Sequence, residues 1–84
     1  MSEGTDVPTV LKIGPYRFFF VCLDRHEPPH VHVRRDNMVA KFWLDPVALE
    51  RAGGFARPEL NAIAAHVVEK RLELLERWNE FFGD

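Results

Sequence analysis

Among 84 residues the chain has a single cysteine, Cys22, which excludes an internal disulfide and fits a reducing compartment. No apolar run approaches the length of a membrane span, and the first residues lack the basic-then-apolar order of a signal peptide. A cytoplasmic protein with no membrane association is therefore expected. The sequence holds no glycine-rich phosphate loop, no nucleophile elbow and no helix-turn-helix signature. It also lacks a strong charge of either sign: the net charge is −2, so no global basic field announces nucleic acid. The length suits one domain with a single modest core.

Composition is that of a folded chain, 46% hydrophobic and 29% charged, with Phe the dominant aromatic. The charges are unevenly placed. Thr9 to Trp43 carries Lys12, Arg17, Arg25, Arg34, Arg35 and Lys41 against Asp24, Glu27 and Asp36, a balance of +3. From Leu44 onward the balance is −3. The front is mildly cationic and the back anionic.

Residues 1–7 read as a disordered lead and 8–84 as a single domain. "TVLKI" (9–13) alternates as a short strand before a Gly14-Pro15 turn, and "YRFFFVCLD" (16–24) reads as a central strand, apolar on both faces. Arg25 to Pro29 is a loop, because its two prolines cannot donate ladder hydrogen bonds. "HVHVRR" (30–35) and "MVAKFWLD" (38–45) are strands joined by the tight turn Asp36-Asn37. Asp45-Pro46 looks like a cap and first position of a brief helical turn through "VALERA", stopped at Gly53-Gly54. One long helix is expected from about Pro58 to Phe82, with Leu60, Ile63, Ala64, Val67, Val68, Leu72, Leu75, Trp78, Phe81 and Phe82 on its apolar stripe. The expected fold is α+β: a four-stranded antiparallel sheet with one long C-terminal helix packed on one face.

Three of the four histidines lie in "HEPPHVHV" (26–33). If Asp36-Asn37 is a two-residue turn, counting outward pairs Val33 with Ala40 and Val31 with Phe42, an apolar set for the core. The same count pairs His30 with Trp43, His32 with Lys41 and Arg34 with Val39. It places these polar groups on the face away from the helix, where Arg17 or Tyr16 joins them. A one-residue slip would bury the histidines instead.

Three functions fit such a face. Histidines at i and i+2 on a strand project the same way, about 6–7 Å apart, and two of them share an ion readily. Zinc needs a third ligand, for which His26 or Glu27 is the candidate. Lys41 and Arg34 oppose a cation, and no carboxylate stands at reliable ligand spacing, so no metal or other cofactor is expected. Metal-free cleavage of RNA needs a base, an acid and a cation for the phosphate. His30 and His32 would be base and acid, Arg34, Lys41 and Arg17 would bind substrate, and Trp43 would stack on a base. The third function is interaction alone, with a partner protein or a second copy covering the sheet face. Cys22 alternates with Phe18 and Phe20 and is expected in the core, and His66 on the surface.

"PTVLKIGPYRFFF", "HEPPHVHV", "AKFWLDPV", the "GF" at 54–55 and "ERWNEFFG" resemble, in order and over nearly the whole chain, a small bacterial family labelled as a domain of unknown function. The matching positions include Glu27, Pro28, Pro29, His30, His32, Lys41, Trp43 and Pro46. Its members are often encoded beside a second small protein, and such pairs are commonly grouped as toxin–antitoxin modules. The resemblance implies a small cognate protein as partner and favours an RNA-binding or RNA-cleaving toxin. The alternatives are a non-catalytic interaction module or a small metal-binding protein. Relatives often have Ser at position 56 to cap the long helix; Ala56 cannot, and Pro58 supplies part of the start signal.

Overall fold

A computed structural model describes residues 9–83, so the expected lead at 1–7 lies outside the described residues. Strands β1 (Thr9–Ile13), β2 (Tyr16–Phe19), β3 (His30–Arg35), β4 (Met38–Leu44) and β5 (Val47–Arg51) are followed by helices α1 (Arg57–Glu69) and α2 (Arg71–Phe82). The strands form one antiparallel sheet in the order β1-β2-β3-β4-β5. The α+β class is as expected; the fifth strand and the divided helix are corrections.

The β3–β4 register is the one the turn dictates: Arg35 faces Met38, Val33 faces Ala40, and His30 faces Trp43. Asp36 takes a positive φ of 56°, which Asp tolerates better than most residues. Alternation then sorts the side chains. Phe18, Val31, Val33, Ala40 and Phe42 are buried with Ile63, Val67, Leu74 and Trp78 of the helices. Each such large apolar side chain contributes about 1.5–3 kcal/mol.

The "VALER" segment is strand β5, paired with β4 through Trp43↔Ala48 and Leu44↔Val47. Ala, Leu, Glu and Arg favour helix, but the free edge of β4 offered a ladder of hydrogen bonds, and tertiary pairing overrode propensity. Asp45-Pro46 therefore makes the turn between strands and not a helix start. Gly53 (φ 64°) passes so close to β4 that a Cβ there would sit 1.8 Å from the Val39 carbonyl oxygen.

The helical segment breaks at Lys70, whose φ and ψ are −100° and 12°. An unbroken helix over 58–82 would be about 37 Å long, more than the 34 Å greatest extent of the domain. The break lets both halves stay on the sheet. Arg71 anchors the second half, donating Nε–H to the Leu44 carbonyl at 2.8 Å and Nη2–H to Asp45 at 2.7 Å. Re-phasing leaves two residues of the expected stripe, Val68 and Leu72, exposed. Ala56 stands at the N-cap with no side-chain hydrogen bond, and Pro58 lies in the first turn, as the sequence suggested.

The β2 strand ends at Phe19, short of the expected Asp24, and Cys22–Asp24 form a 3-10 turn. That turn lifts Cys22 out of the core to the surface, against expectation. Tyr16 also departs from the anticipated polar face. Its hydroxyl donates to Glu59 Oε2 of α1 at 2.8 Å, so it lies on the helix side. His66 is half-buried, its ring 6.0 Å from that of Tyr16.

Candidate functional site

The 3-10 turn returns the chain across the end of the sheet and sets one carboxylate between two histidines. Asp24 N–H donates to the Val21 carbonyl at 2.9 Å, and Glu27 N–H to the Asp24 carbonyl at 3.0 Å, which fixes the turn. Asp24 Oδ2 then lies 2.8 Å from His30 Nε2 and 3.1 Å from His32 Nε2. The other nitrogen of His30, Nδ1, is 2.9 Å from the Pro28 carbonyl oxygen. That oxygen can only accept, so Nδ1 carries the proton. The Pro28-Pro29 pair aims this carbonyl, and Pro29 carries the β3–β4 ladder one step further by accepting from Leu44 N–H at 3.0 Å.

His30 departs from the exposed position that side-chain parity implies. The strand register holds, yet the ring has 0% exposure. Trp78 of α2 closes over it at 5.0 Å between centroids, and Trp43 meets it edge-on at 5.6 Å. His32 keeps a side-chain exposure of 12% and stacks on Phe19 at 5.3 Å. Of the two histidines, His32 is the one that reaches solvent.

Burial is the largest influence on both titrating groups. It lowers the His32 pKa below the ordinary imidazole value, outweighing the Asp24 hydrogen bond that would raise it. It opposes the charge on Asp24, but the contacts with His30 and His32 prevail and hold that carboxyl below its ordinary value.

The remaining anticipated residues are distributed more widely. Lys41 is only 8% exposed; its ammonium pairs with Glu27 Oε1 at 2.7 Å and lies 4.8 Å from the Trp43 ring centre. Its charge is thus largely spent inside the protein, and the Trp43 face is occupied. Glu27 Oε1, committed to Lys41, also stands 3.8 Å from His30 Nδ1, whereas His26 is exposed and does not join the histidine pair. His26 instead lines a polar hollow of about 300 Å³ with Arg25, Trp78, Asn79 and Phe82. Arg17 and Arg34 are exposed on the face away from the helices.

The sequence reading missed Asp24. With 16–24 taken as one strand, its side chain had no fixed relation to His30. The spacing D-x5-H-x-H was the available signal, legible only once a proline-closed loop is allowed to fold back.

A small antiparallel meander backed by two helices, with an Asp–His–His cluster at one end, defines the kind of domain this is. Residues 16–79 match the family described as "Domain of unknown function (DUF4160)". The chain belongs to that family. No curated protein matches it, and no solved structure does. Among the described residues no helix is long and apolar enough to cross a membrane.

Proposed function

We propose that the protein is an RNA-binding component of a toxin–antitoxin pair, taking the phosphate backbone on the sheet face opposite its helices. One observation carries this reading: Lys12, Arg17 and Arg34 stand side by side across β1, β2 and β3, all exposed on that face. Neighbouring strands are about 4.8 Å apart, and like charges directly opposite one another destabilise a sheet. A polyanion laid across the row relieves that repulsion and releases its own counterions.

The next row of the face is Phe19, His32 and Lys41. Arg17 lies 5.6 Å from the Phe19 ring centre. Any acid–base step on RNA falls to His32, because His30 has no access to substrate. With Nε2–H donated to Asp24, His32 keeps its Nδ1 lone pair for a proton. His30 then acts as a positioning residue through the shared carboxylate.

The test is binding of a fluorescent single-stranded RNA by the purified chain at low and moderate salt. Salt-sensitive binding that Arg17→Glu with Arg34→Glu abolishes supports the reading. Binding that these changes leave intact, or none at low salt, overturns it. In the latter case the interaction reading takes over. It is favoured by the outer strand β5, four of whose five residues are exposed, and it predicts a cognate protein bound at that edge.

A further inference from the structure

We propose that Asp24 Oδ2, His30 Nε2 and His32 Nε2 form a site for one divalent first-row transition ion, with zinc the best match. The inference is independent of RNA binding along the cationic row, but it replaces the acid–base role given to His32, whose Nε2 cannot both donate to Asp24 and ligate an ion. It starts from the hydrogen count around His30. With Nδ1–H given to the Pro28 carbonyl, Nε2 is turned toward a carboxylate oxygen at 2.8 Å. Between those two atoms lies either a proton or a metal ion. His32 Nε2, 3.1 Å from the same oxygen, points into the same space.

The three ligand atoms all lie within 4.8 Å of one another. Tetrahedral zinc, with bonds of about 2.0–2.2 Å, holds its ligand atoms about 3.3 Å apart. The two nitrogen–oxygen pairs must open by a few tenths of an ångström, and the two nitrogens, within 4.8 Å of each other, must draw in to seat the ion. The donor set of two imidazoles and one carboxylate is borderline in hardness, which suits zinc and its neighbours over calcium or magnesium.

The surroundings are those of a ligand set already oriented. A metal-binding histidine typically gives its second N–H to a carbonyl or carboxylate, which locks the tautomer, and Pro28 provides this for His30. Trp43 and Trp78 pack the same ring and keep water from it. The cation that seemed to oppose a metal is neutralised: Lys41 is held by Glu27 at 2.7 Å. Arg34 bends away to the Asp36 carbonyl, donating Nε–H at 2.8 Å. Three protein ligands leave one position open, as in zinc sites that bind water or a substrate oxygen.

Isothermal titration of the full chain, purified without a tag and stripped with chelator, tests the site using zinc chloride, with cobalt chloride as a spectroscopic probe. The expected result is one ion per chain, a tetrahedral cobalt spectrum, and at least a tenfold loss of affinity in Asp24→Asn and in His32→Ala. His26→Ala and His66→Ala should bind as the parent does. His30→Ala removes a buried ring and serves only if circular dichroism shows it folded; the Asp24 and His32 variants carry the test without it. Absence of saturable binding, or binding that Asp24→Asn and His32→Ala leave unchanged, overturns the assignment. Metal binding is measured without RNA, so this result and the RNA result are read separately.

Discussion

Arg35 of β3 grips Glu59 of α1 with two nitrogens: Nη2 donates to Oε1 at 2.8 Å and Nε donates to Oε2. The Tyr16 hydroxyl adds a third hydrogen bond to the same carboxylate. These bonds fasten the first helix to the β3–β4 hairpin. The Arg35 hydrogen bonds, with that from Tyr16, hold the Glu59 carboxyl below its ordinary 4.5. A carboxylate whose folded pKa is depressed stabilises the fold above its unfolded pKa, and the contribution fades as pH falls through the folded value. Glu59→Gln should therefore lower the urea midpoint at pH 7. The gap from the parent should close as the pH is taken below 4.5, and unfolding curves at the two pH values check it.

Gly53 should tolerate no side chain. Its φ is 64°, and an added Cβ would lie 1.8 Å from the Val39 carbonyl oxygen. Gly53→Ala must push β4 away or distort the turn after β5, at about 2 kcal/mol or more. Thermal unfolding should show a clear fall in Tm, whereas Gly14→Ala, with no atom within 4 Å of its Cβ, should fall less.

Trp78 closes the histidine end of the core, touching Phe20 at 5.3 Å, His30 at 5.0 Å and Phe82 at 4.2 Å between ring centres. Trp78→Ala should cost roughly 3–5 kcal/mol. It should also admit water to His30, so the exchange of its ring Nδ1–H proton in NMR spectra should quicken. Unchanged exchange would mean that Trp43 and Asp24 shield the ring by themselves.

If the sheet face takes RNA, removing two backbone contacts should flatten the dependence of binding on salt. For Arg17→Ala with Arg34→Ala, the slope of log K against log salt should fall by about 1.4–1.8. The same double variant should be at least as stable as the parent, because it removes opposed like charges on paired strands. Anisotropy titrations at several salt concentrations and one melting curve decide both points.

The sequence made the β3–β4 hairpin readable because a two-residue turn leaves no freedom in register, and parity then assigns every side chain a face. It did not disclose β5, where residues suited to helix pair with an open edge. Nor did it disclose the break at Lys70, which has no Pro or Gly to announce it and lies beside Arg71, bound to Leu44 and Asp45. Two of the three groups of the candidate site were visible, His30 and His32. Asp24 was not, since its position depends on where β2 stops. The burial of His30 depends on Trp78, a contact between distant parts of the chain that no local pattern encodes.

The three groups that converge on one point all fall within residues 24–32, on a single turn and the strand after it. The Trp78 ring over His30 comes from α2, many residues later in the sequence. During synthesis, then, the growing chain displays that imidazole to the surrounding solution before its cover has been made. Its burial is completed only when α2 packs back onto the strands.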